Sequence, residues 1–85
     1  MYYTATHNGA EYETWTASKK APTHFVILGL ASDDASNFAR SMVETGSPFV
    51  AWRSSKKAAE SVASRWVARF NPGTVVAHVV PCVPR

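Results

Sequence analysis

The chain is 85 residues long, 46% apolar and 12% aromatic, which excludes a disordered segment and fits one globular domain, residues 1–85, with a thin stability margin. Nine Lys and Arg against six Asp and Glu leave a formal charge of +3, enough to permit an acidic or nucleic-acid partner without demanding one. Cys82 is the single cysteine, so no internal disulfide can form, and neither a signal-peptide pattern nor an apolar run of membrane length is read; the expected home is the cytosol, with no membrane partner.

Residues 2–6 alternate aromatic, small and β-branched side chains and read as a strand. Asn8-Gly9 follows, a strong hairpin signal because both residues tolerate the positive φ of a type I′ turn. The return strand covers residues 10–17. A two-residue turn places Ala5 opposite Tyr12 and Thr4 opposite Glu13. Tyr3, Ala5, Tyr12 and Thr14 then share one face, and Tyr2, Thr4, Glu13 and Trp15 the other. The loop Ser18-Lys19-Lys20-Ala21-Pro22 ends the strand. HFVILGL, residues 24–30, is apolar throughout and predicts a central strand buried on both faces, with Gly29 marking a bulge or the strand's exit.

Ser32 is a helix N-cap candidate, with Asp33 and Asp34 in the first turn where the helix dipole favours negative charge. Ala35, Phe38, Ala39, Met42 and Val43 form one helical stripe, closed by Gly46 and Pro48. Residues 49–53 read as a short strand. A second helix follows, with Ala59, Val62, Ala63, Trp66, Val67 and Phe70 on one face; full burial is expected of Trp66. Asn71-Pro72-Gly73 ends that helix, residues 74–80 form another buried strand, and residues 81–85 a tail.

The order is β-β-β-α-β-α-β, an α+β domain with a mixed sheet of about five strands and two helices on one face. Two such helices cover one face only, while two of the strands are apolar on both. The second face therefore needs a cover: the Trp15-bearing hairpin, a second copy in a homodimer, or a target protein.

No catalytic motif is present, and the chain is read as non-enzymatic, with no cofactor. The segment Arg53-Ser54-Ser55-Lys56-Lys57 sets two hydroxyls and three cations at a helix N-terminus, where free N–H groups and the positive dipole end can hold an anion. Lysines in a first turn oppose the dipole. The plain alternative is an N-cap serine beside solvated lysines. Lys19 and Lys20, with Trp15 or Trp52 nearby, could extend the patch for a nucleic acid whose phosphates pair with cations and whose bases stack on indoles. Tyr2, Tyr12 and Trp15 are candidate protein-binding aromatics. His7, His24 and His78 lack Cys or carboxylate companions at ligand spacing, so no metal site is expected, and Cys82 with His78 does not make a nucleophile.

Thr4 to Gly9, the Lys19-Lys20 loop, Thr23 to Ile27, Trp52 and Ala58-Ala59 follow one another in an order that resembles small accessory proteins of tailed bacteriophages, with Pro22 where those carry Tyr. The resemblance implies a bacterial host cytoplasm and a host protein or protein complex as partner, bound and inhibited without catalysis. Anti-defence inhibitors such as anti-CRISPR proteins are the corresponding class. It transfers no functional residue.

Overall fold

The computed structural model describes residues 1–31, 41, 43 and 48–85. The helix expected after Ser32 lies outside the described residues. The remainder is β1 (Tyr2–His7), β2 (Ala10–Trp15), β3 (His24–Leu30), β4 (Phe49–Arg53), α1 (Lys56–Val67), β5 (Val75–Pro81) and β6 (Val83–Pro84).

The α+β class stands, but the single mixed sheet does not. The strands form two three-stranded sheets, ordered β2-β1-β6 and β4-β3-β5, and every pairing among the described residues is antiparallel. The hairpin has the register set by its turn: Ala5 opposes Tyr12, Thr4 opposes Glu13, and Asn8 and Gly9 take φ of 50° and 78°. Its Tyr3 and Ala5 side is buried.

β3 alternates between two cores. Phe25 and Ile27 pack with Tyr3 and Ala5 of the hairpin, joined by Tyr12, Phe49, Trp52, Val80 and Cys82. Val26 packs on the other side with Ala59, Val62 and Ala63 of α1. Leu28 and Val75 extend that helix-side core toward Trp66 and Phe70. The layers are therefore hairpin sheet, central sheet and helix. The second face of the central sheet, which needed a cover, is closed by the hairpin, the first of the three covers named from the sequence.

β4 serves both cores through a bulge. Its register against β3 shifts between Val26 and Ile27, which oppose Ala51 and Phe49 respectively. The extra residue lets consecutive Val50 and Ala51 both face the helix while Phe49 and Trp52 face the hairpin. Gly29 is not the bulge. A Cβ there would stand 3.0 Å from Nε2 of His78, so Gly29 makes room for an imidazole on the neighbouring strand.

The C-terminal residues are not a tail. After β5 pairs His24 with Pro81, the Cys82 N–H donates to the Thr23 carbonyl at 3.0 Å, and β6 then joins β1 with Val83 opposite Thr4. One continuous run of chain thus passes from the central sheet into the hairpin sheet and fastens them together. β5 itself is an edge strand with Val76 exposed, rather than a second fully buried one.

Candidate functional site

α1 begins where the sequence places it. Ser55 is the N-cap: extended at φ −152°, ψ 153°, its Oγ accepts from the Ala58 N–H at 3.2 Å and its carbonyl from the Ala59 N–H at 3.1 Å. Its hydroxyl is therefore engaged in the cap rather than offered to a ligand. Lys56 reaches Glu60 one turn on, Nζ to Oε1 4.0 Å, while Ser54 and Lys57 are exposed. The Lys19-Lys20 loop is pinned near this turn by its far end, since the Thr23 N–H donates to the Arg53 carbonyl at 3.0 Å. No hydrogen bond or ion pair among the described residues joins either lysine's side chain to the Arg53–Lys57 turn. Trp52 packs inward between the two sheets, and Trp15 belongs to a different layer, so neither indole supplements this turn.

Arg53 does something the sequence did not suggest. Its guanidinium Nη1 donates to the Trp52 carbonyl at 2.7 Å, and the residue walls a groove of about 210 Å³ with Val62, Arg65, Trp66 and Arg69. Arg65 and Arg69 are one helical turn apart and flank Trp66, and the Arg69 guanidinium lies 4.5 Å from the centre of the Trp66 ring. None of the three arginines pairs with a carboxylate among the described residues. Arg65 and Arg69 were not among the site residues read from the sequence; their i, i+4 spacing about a tryptophan was the available signal.

The candidate protein-binding aromatics separate. Tyr12 is half-buried on the inner side of the hairpin and packs against Tyr3, Ala5, Phe25 and Ile27, so it is not a surface aromatic. Tyr2 and Trp15 are direct cross-strand partners on the outer side and are 48% and 58% exposed. Val83, opposite Thr4 on the next strand, is 58% exposed on the same side. The patch is rimmed by an ion pair between Arg85 and Glu13, with the Arg85 guanidinium 6.0 Å from the Tyr2 ring centre.

A third feature lies at the hairpin's turn end. His7 and His78 stack with ring centroids 4.5 Å apart, beside a cavity of about 320 Å³ also lined by Asn8, Tyr12, Gly29 and Pro48. Burial, and then the neighbouring His7, hold the His78 imidazole below its ordinary pKa. His24 is not its neighbour; His24 pairs with Pro81 and Arg53, and contacts the Thr23 hydroxyl through Nδ1 at 2.9 Å. Among the described residues no group of three or more His, Cys, Asp or Glu could hold a metal ion, and no helix is long and apolar enough to cross a membrane.

No protein-family model matches the chain, no curated protein matches it in sequence, and no solved structure matches its fold.

Proposed function

We propose that the protein is a non-catalytic binding module that docks a protein partner on the outer face of its hairpin sheet. The observation that carries this is the cross-strand pair Tyr2 and Trp15, together with Val83: three large apolar side chains, each about half exposed, on one sheet face. Isolated exposed apolar residues are ordinary, but a contiguous patch with a polar rim is the composition of a protein interface. Tyr and Trp are also the side chains that most often anchor such contacts. The face is opposite the helix layer, so an occupied patch leaves the rest of the molecule accessible. The resemblance to phage accessory proteins supplies the kind of partner: a host protein complex, inhibited by occupancy, as in anti-defence proteins.

The test compares the wild-type chain with one double variant. Tyr2→Thr with Trp15→Thr keeps strand propensity and removes the patch. The wild-type chain is expected to recover one stoichiometric host protein, and the double variant, equally folded by circular dichroism, is expected to lose it. Recovery unchanged in the double variant overturns the proposal. A second copy of the chain is the competing occupant, and light scattering of the purified protein decides it: a dimer dissolved by the double variant assigns the patch to self-association instead.

A further inference from the structure

The groove between β4 and α1 has a charge character that the sheet-face proposal does not use. Its walls bring three arginines from two elements around one concavity of about 210 Å³, lined also by Val62 and Trp66. The negative end of the helix dipole favours Arg65 and Arg69 where they stand, near the C-terminus of α1. That does not account for Arg53, which arrives from the end of a strand. Three like charges lining one concavity repel one another, and no carboxylate among the described residues compensates them. A bound oxyanion would. Guanidinium forks match the geometry of phosphate oxygens, and they remain charged at every physiological pH.

We infer that this groove binds the phosphodiester backbone of a single-stranded nucleic acid. A concave site of this volume admits a phosphate with its sugars but not the breadth of a duplex. Base stacking is excluded by the same residues. Arg69 lies over the Trp66 ring, and Trp66 packs on both parts of the helix-side core, so the indole has no free face for a base. Recognition is therefore of backbone charge, without sequence preference. Lys56 and Lys57, at the other end of the same helix, extend the positive surface away from the groove. The site shares no residue with the Tyr2–Trp15 patch, so the two proposals stand or fall separately.

The test is fluorescence anisotropy of labelled oligothymidylate and oligodeoxyadenylate with the full chain, across a salt series. Three phosphate contacts give a slope of log affinity on log salt of about −2 for a single strand. Arg65→Gln with Arg69→Gln is expected to flatten that slope by about 1.4 and weaken binding at low salt at least tenfold. Lys19→Gln with Lys20→Gln removes equal charge outside the groove and is expected to change the slope much less. The two oligonucleotides are expected to bind alike. No binding at low salt, or equal losses from the arginine and lysine pairs, overturns the site. A strong preference for one oligonucleotide overturns the backbone-only mode. Both double variants lie on exposed side chains, and retained thermal transitions confirm that any loss is not unfolding.

Discussion

The Arg69 guanidinium stands 4.5 Å from the centre of the Trp66 ring, and Trp66 is half-buried beneath it rather than sealed in the core. Among the described residues the fully buried aromatic is Phe25, at 0% exposure between the two sheets, in edge contact with Phe49 at 4.8 Å. Phe25→Ala is therefore expected to cost about 3–5 kcal/mol, enough to unfold a domain of this size. Trp66→Ala is expected to cost less, about 2 kcal/mol, because part of its surface is already wet and its cation–π contact contributes only about 0.5–1 kcal/mol. Urea denaturation of the two variants ranks them. The reverse order would mean that the helix side, not the space between the sheets, is the principal core.

At the start of α1, one of two adjacent serines carries the cap. Ser55 Oγ accepts the Ala58 N–H, whereas Ser54 is exposed and precedes the cap. Ser55→Ala is expected to destabilise the protein by about 1 kcal/mol and Ser54→Ala by less than about 0.5 kcal/mol. The cap matters more than usual here because Lys56 and Lys57 oppose the dipole and no acidic residue occupies the first turn. Thermal denaturation of the two single variants distinguishes the positions.

The local elements were legible because their signals are local. Asn8-Gly9 dictates a two-residue turn, and a two-residue turn dictates the whole register from Tyr2–Trp15 to His7–Ala10. The unbroken apolar run of β3 foretold burial on both faces, and Ser55 before an Ala-rich amphipathic stretch foretold α1. What failed was the assignment of strands to sheets. Nothing in residues 81–85, with two prolines, marks an edge strand, yet two residues suffice to pair with β1 once Cys82 is anchored to Thr23. Without β6 in view, no local signal ties the hairpin to the central sheet, and the choice among covers for the second face stays open. The basic groove was hidden for a similar reason: Arg53 meets Arg65 and Arg69 only because α1 doubles back over the end of β4.

Cys82 sits at the point where the chain changes sheets and packs against the Phe25 and Tyr3 core. Burial raises its thiol pKa, opposed only in part by a hydrogen bond with its own backbone. The thiolate is the reactive form, so little of it exists at neutral pH in the folded state. Alkylation by iodoacetamide at neutral pH is expected to be slow in the native protein and to accelerate several-fold in urea. Equal rates in the two states would show that the Cys82 corner is open to solvent.

The His7–His78 stack makes stability depend on pH in a direction that burial fixes. Both burial and His7 oppose a charge on His78, so its folded pKa is below the ordinary value of 6.5. The unfolded chain takes up this proton near pH 6.5 and the folded one only at lower pH. Between those two values the unfolded state binds more protons, and stability falls as pH falls. Above pH 6.5 the imidazole is neutral in both states and the site costs nothing; below the folded pKa the loss levels off. The Asn8 side-chain amide nitrogen lies 3.4 Å from His7 Nε2, and no carboxylate lines the adjoining cavity among the described residues. The melting temperature is expected to drop on going from about pH 8 to about pH 5, and His78→Gln is expected to flatten that dependence, since glutamine does not titrate in this window. His7→Gln is expected to flatten it less, because burial, the larger cause, remains. A pH profile that is the same in wild type and His78→Gln would assign the acid sensitivity to groups elsewhere in the chain.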